Sequence, residues 1–166
     1  MKPSIIRIGV ISDTHGLTRP EALAALSGVS YIVHGGDVGA PEVLAALESI
    51  APVTAVRGNN DTEAWAKKLP LTDRLEVAGR TLYVLHDLAD LDLDPAAAGF
   101  AVVVTGHSHQ PKVVTKAGVL FVNPGSAGPR RFKLPVTVGL IKIGAGGIDA
   151  SIQELNIETS PKRRGK

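Results

Sequence analysis

The sequence predicts an α/β fold in which two sheets pack face to face with helices outside, and three features predict it. Over residues 5–56, short apolar runs alternate with segments of helix formers, the rhythm of parallel strands joined by helices. From residue 112 onward the chain reads almost wholly as strand, enough for a second sheet against the first. Most of the buried runs also stop on a carboxylate, a carboxamide or an imidazole, and buried strands present their chemistry where they end.

The elements follow in order. Residues 5–11 form a β-branched run that ends at Asp13 and His15, whose side chains leave an extended chain on the same side, as two ligands of one ion must. Residues 20–26 start on Pro20 and stop at Gly28, one helix. The strand at 31–34 runs into Gly35, Gly36 and Asp37. A second helix over 41–50 carries Val43, Leu44, Leu47 and Ile50 on one face. The strand at 53–56 ends in Gly58, Asn59, Asn60 and Asp61. Residues 62–69 read as a short helix that packs Trp65, the only tryptophan. Residues 74–77 and 81–85 flank Ala78-Gly79 as a hairpin whose second strand ends on His86. A helix is expected over 94–98, then a buried strand at 100–104 that closes with Thr105-Gly106-His107-Ser108-His109. Strands at 112–116, 119–122, 136–143 and 148–155 complete the chain, with Asn123-Pro124-Gly125-Ser126 after the second of them. There is no repeat and no linker, so residues 1–158 are expected as one domain and 159–166 as a basic tail.

Composition narrows the chemistry. With 166 residues and 44% apolar content the chain can bury a sizeable core. It has no cysteine, which excludes thiolate nucleophiles, disulfides and Cys-ligated clusters, so any metal must use nitrogen and oxygen ligands. Residues 5–11 are too short to span a bilayer and no signal peptide is visible, so no membrane association and a cytoplasmic location are expected. The pI near 9.0 suggests a nucleic-acid binder only until the charge is placed. Lys162, Arg163, Arg164 and Lys166 lie in the tail, and without them 14 bases face 16 acids. With only Tyr31, Trp65, Tyr83 and three phenylalanines available for stacking, nucleic acid is not the expected partner.

The polar strand ends collect Asp13, His15, Asp37, Asn59, His86, His107 and His109, four of the five histidines among them. The fifth, His34, precedes Asp37 and reads either as packing or as support for a ligand. In that order, with Gly36-Asp37, Gly58-Asn59-Asn60-Asp61, Gly106-His107-Ser108-His109 and the Asn-Pro-Gly-Ser turn, the set resembles the calcineurin-like metallophosphoesterase superfamily, in particular its small bacterial and archaeal phosphodiesterases. The resemblance implies an αββα sandwich with two metal ions: Asp13, His15 and His109 on the first, Asn59, His86 and His107 on the second, Asp37 bridging. It implies a phosphodiesterase in which a metal-bridging hydroxide attacks phosphorus, with Asp13, Asp37, Asn59, Asn60 and His107 as catalytic residues. Manganese is the expected ion, with iron, zinc, nickel and cobalt compatible with the ligands. Two divalent ions against two carboxylates leave about two positive charges, which suits a small phosphoester substrate.

Two positions depart from the family pattern. Asn60 stands where many members carry a histidine, and Asp87 where glycine follows the metal-binding histidine. Asn60 can bind phosphate but cannot donate a proton to a leaving group. Arg130 is the expected phosphate contact near the Asn-Pro-Gly-Ser turn, with Arg131 and Arg57 also in reach, because the guanidinium fork matches phosphate. The alternative reading is a non-catalytic, protein-binding scaffold of the same fold, and a homodimer is the assembly left open.

Overall fold

The computed structural model describes residues 4–131 and 133–157; the expected domain boundary at 158 and the tail at 159–166 lie outside the described residues. The first half builds β1 (Ile6–Ile11), α1 (Pro20–Ala25), β2 (Tyr31–His34), α2 (Pro41–Glu48) and β3 (Val53–Ala55). Each helix begins on its proline, whose missing N–H is no loss there, and carries Glu21 or Glu42 in its positive first turn. The remainder supplies β4 (Thr72–Val77), β5 (Arg80–Leu85), β6 (Val102–Val104), β7 (Lys112–Lys116), β8 (Val119–Asn123), β9 (Thr137–Gly144) and β10 (Gly147–Glu154).

These strands form two five-stranded sheets, ordered β10-β9-β1-β2-β3 and β4-β5-β6-β8-β7. β1, β2 and β3 run parallel in the first, and β5, β6 and β8 in the second. Strict alternation divides their side chains between faces. Ile8, Val10, Val33, Leu82, Val84, Val102, Val104 and Ile141 point inward and make the core between the sheets, all of them with no exposure at all. Burial of each such side chain contributes roughly 1.5–3 kcal/mol. Ile11 and Ile32 point outward instead, under Ala22, Leu26, Val43 and Leu47 of the helical segments.

The second sheet is covered differently. The helix expected over 94–98 is a turn: the Asp94 carboxylate accepts from the Ala96 and Ala97 amides, and the Phe100 amide already returns to the Pro95 carbonyl. Three residues between Pro95 and Gly99 are too few to repay helix nucleation. Leu91, Leu93 and Phe100 of this loop cover Tyr83, Leu85 and Val103, with the Tyr83 and Phe100 rings stacked at 4.8 Å. A 3₁₀ turn at Leu88–Asp90, which the sequence did not announce, is capped by the Asp87 side chain accepting from the Ala89 amide. The short helix at 62–69 is likewise 3₁₀, over Ala64–Lys68, and Trp65 packs half-buried against the cluster under α2. The hairpin forms as expected, with Ala78 and Gly79 both at positive φ in its two-residue turn. No helix among the described residues is long and apolar enough to cross a membrane.

Candidate metal centre

The parallel strands of both sheets deliver their C-terminal ends to one place, as open α/β sheets do with their sites. From the first sheet come Asp13 and His15 after β1, Asp37 after β2 and Asn59 after β3; from the second come His86 after β5 and His107 and His109 after β6. The structure brings all seven candidate ligands together. Backbone bonds lace the strand ends: the Asp13 amide donates to the Gly36 carbonyl, the His15 amide to Asp37 and the Gly106 amide to His86. Five of these ligands, Asp13, His15, Asp37, His107 and His109, hold φ between 47° and 72°. Non-glycine residues in that region are strained, and such strain persists where the surroundings over-determine it, typically at functional sites.

Asp13 and Asp37 lie at the middle. Asp13 Oδ1 is 3.4 Å from His109 Nε2, 3.9 Å from His86 Nε2 and 4.0 Å from His15 Nε2. Asp37 Oδ2 is 3.3 Å from His86 Nε2 and 3.9 Å from His15 Nε2, so this carboxylate faces histidines of both expected triads. On the far side, Asn59 Oδ1 lies 2.9 Å from His86 Nε2 and 3.1 Å from His107 Nδ1. Two groups, Asp13 with His15 and His109, and Asp13 with Asp37 and His86, have donor atoms mutually within 4.8 Å.

The donor set fits a cation. Asp13 Oδ1 is fully buried and accepts no hydrogen bond, whereas Oδ2 is satisfied by Ser12 Oγ at 2.7 Å and the His107 amide at 3.0 Å. An orphaned carboxylate oxygen costs several kcal/mol unless something positive meets it. His86 gives its Nδ1–H to the Gly35 carbonyl at 2.7 Å, which turns Nε2 inward between Asn59 Oδ1 and Asp37 Oδ2, two acceptors. Space is kept by glycine: a Cβ at Gly58 would overlap the Asp37 carboxylate and amide, and one at Gly106 would fall on Ser12 Oγ. The charges respond accordingly. Burial works against the His86 cation, but hydrogen bonds to Asp37 and Gly35 and the charges of Asp13 and Asp37 outweigh it, raising its pKa to about 8. Burial likewise disfavours the Asp37 anion, yet His86 and Asn60 hold its pKa at about 2. Burial lowers the pKa of His109.

Four surrounding residues had open roles. His34 is neutral: burial depresses its pKa to about 3, its Nδ1 accepts from the Gly36 amide, and its Nε2–H reaches Thr14 Oγ1, which donates to the Val38 carbonyl. It supports the loops that carry Asp13 and Asp37. Asn60 is in the site but spends its side-chain amide on Asp37 Oδ2, at 3.0 Å, and its backbone amide on Oδ1. Arg130 lines a separate hollow of about 320 Å³ with Val136 and residues 154–157, and the charge of its neighbour Arg131 acts on His109. Asp87 points at the site, its Oδ2 3.6 Å from His107 Nε2. The Asn-Pro-Gly-Ser turn shapes the loop: Asn123 donates to the Gly106 carbonyl and Ser126 to the Asp13 carbonyl. Asp61 acts more than its place in the motif announced, its buried carboxylate accepting from the amides of Val38, Gly39 and Gly58 at 2.9–3.1 Å.

Known proteins resemble this chain over most of its length. A probable metallophosphoesterase of Methanothermobacter thermautotrophicus is 33% identical over 157 residues, covering 87% of this chain and 90% of that one. A phosphodiesterase of Methanocaldococcus jannaschii is 25% identical over 154 residues, covering 82% and 92%. Among solved structures, a predicted phosphoesterase of Streptococcus pneumoniae superposes with a TM-score of 0.73 at 21% identity, covering 96% and 95%. Vacuolar Protein Sorting 29 of Cryptosporidium parvum gives 0.72 at 18% identity, covering 92% and 99%. These two likenesses show the αββα sandwich fold alone. The model of the calcineurin-like phosphoesterase superfamily domain matches residues 6–146, and with that span the chain belongs to this superfamily.

Proposed function

We propose that this chain is a metal-dependent phosphodiesterase acting on small phosphoesters through a centre of two divalent ions. The observation that carries the reading is the buried, unpartnered Asp13 Oδ1 facing three histidine Nε2 atoms. Asp13, His15 and His109 would hold one ion and Asn59, His86 and His107 the other, with Asp37 between. Two such ions supply a hydroxide nucleophile at neutral pH and positive charge against the phosphate oxygens. The protein's own groups do the positioning. Gly35 fixes the His86 ring through Nδ1, the Ser12 hydroxyl and the His107 amide orient Asp13, and Asn60 clamps both oxygens of Asp37. No histidine stands at position 60 to protonate a departing alkoxide, and the Asn60 amide is not an acid.

The first test is hydrolysis of bis-p-nitrophenyl phosphate by EDTA-stripped protein, with and without manganese. Manganese-dependent turnover is expected, falling at least ~100-fold in Asp37→Asn. No turnover with manganese, iron, zinc, nickel or cobalt would leave the competing reading, a partner-binding scaffold, for which the structural likeness to Vacuolar Protein Sorting 29 is the support. The full ligand set favours the enzyme. A second test follows from Asn60: p-nitrophenyl esters should turn over roughly 100-fold or more faster than alkyl esters of the same phosphate, since a general acid ordinarily contributes 10²–10⁴-fold. Equal rates would mean that another group protonates the leaving oxygen.

A further inference from the structure

The outer face of the second sheet is only partly roofed. The loop after β5 covers Tyr83, Leu85 and Val103 in a cluster that takes in Val119 and Phe121 of β8, but no residue of the edge strand β7 belongs to it. What remains is a cavity of about 270 Å³ whose rim includes Asp87 and His107 and whose walls include Leu88, Val114, Phe121, Lys112 and Lys116. It therefore opens on a candidate metal ligand. Lys112, Val114 and Lys116 alternate onto one face of β7, and Val114 pairs with Phe121 of β8. That gives an apolar floor with a lysine at each end, about 13 Å apart along the strand. Lys116 Nζ already lies 5.9 Å from the centre of the Phe121 ring, holding its ammonium over the floor. Lys112, paired with Asn123, lies toward the metal end beside the Asp87 carboxylate, and Lys116, paired with Val119, lies at the far end, so an anion is disfavoured beside Asp87 and favoured at Lys116.

We propose that this cavity is a subsite for one arm of the substrate, and that the arm is an apolar or planar body carrying a second anionic group, a phosphate or carboxylate, held by Lys116 at the far end, with Lys112 flanking the arm nearer the metal end. The proposal rests on the phosphoesterase reading for which end of the arm is the scissile phosphate. The floor takes the body and Lys116 takes the charge, so the substrate class is a phosphoester of an alcohol that itself bears an anion.

Binding tests it without catalysis. Titration calorimetry of the full chain, manganese-loaded and metal-free, compares thymidine 3′,5′-bisphosphate with thymidine 5′-monophosphate. With manganese the bisphosphate should bind at least tenfold more tightly than the monophosphate, and that preference should shrink to less than threefold in the double variant Lys112→Ala/Lys116→Ala; in the metal-free chain the two should bind alike, each at least threefold more weakly in the variant. Equal dissociation constants with manganese, no binding of the bisphosphate, or metal-free binding unchanged in the variant would each overturn it. Circular dichroism of the variant guards against misfolding, which a solvent-exposed pair of lysines on an edge strand should not cause. Loss of bis-p-nitrophenyl phosphate hydrolysis with the bisphosphate preference intact would sink the enzyme reading and leave the anion subsite standing.

Discussion

His34 shows how one buried side chain serves the site without touching it. It is a wholly buried imidazole whose two nitrogens are both engaged, one by the Gly36 amide and one by Thr14, so protonation would break a hydrogen bond as well as bury a charge. Burial is the main cause of a folded pKa near 3 against the ordinary 6.5. Between those values the unfolded chain binds the extra proton, so stability rises with pH. The contribution is complete above pH 6.5 and is lost as pH falls toward 3. At full extent it is worth up to about 5 kcal/mol. Urea unfolding of EDTA-treated protein should therefore show a midpoint that falls steeply below pH 6.5, and His34→Gln should flatten that slope while lowering the midpoint at pH 7. A variant with the wild-type slope would assign the acid sensitivity elsewhere.

At the scale of the element, the strand-end loops are held by polar groups. The clearest is the loop after β3, tied to the loop after β2 by Asp61, which serves three amides. Asp61→Ala would orphan all three, at about 1–3 kcal/mol each if water does not replace the carboxylate. A loss of at least ~3 kcal/mol by chemical denaturation is expected, together with weaker metal retention because Asn59 and Asp37 lose their common support. Stability within ~1 kcal/mol of wild type would show that water stands in for Asp61. The strands themselves were legible in the sequence, because each short β-branched run is bounded by glycine or a polar residue and half-turn periodicity is unambiguous there. The candidate ligands, which the structure brings together, were legible for the same reason: they sit where those runs stop. Helical segments with marginal length were not. The 94–98 stretch has helix-forming alanines, but Asp94 caps a turn and Phe100 must return at once to the sheet to stack on Tyr83. Nor could spacing show that Arg130 shares a hollow with residues 154–157, since that neighbourhood depends on packing distant in sequence.

Over the whole molecule, the site is a seam between sheets. Asp13, His15, Asp37 and Asn59 stand on the ends of the first sheet, and His86, His107 and His109 on those of the second. Direct bonds already cross this seam, from His86 to the Gly35 carbonyl and from the His107 amide to Asp13. The chain order that builds it, with β9 returning to pair beside β1 and β8 beside β6, is set by contacts over more than a hundred and over about twenty residues respectively, which local patterning does not encode. Ions held by both sheets bind only the folded arrangement, because the unfolded chain scatters the seven ligands over nearly a hundred residues. Saturation at 100 times the dissociation constant then adds about 2.7 kcal/mol. For a chain of this size that is a rise of roughly 5–10 °C in Tm. Manganese should produce it in the wild type, and both Asp13→Asn, from one sheet, and His86→Ala, from the other, should remove most of it, each measured against its own metal-free baseline. A shift that survives loss of either would place the ions on one sheet alone, and an absent shift in the wild type would remove the metal centre itself.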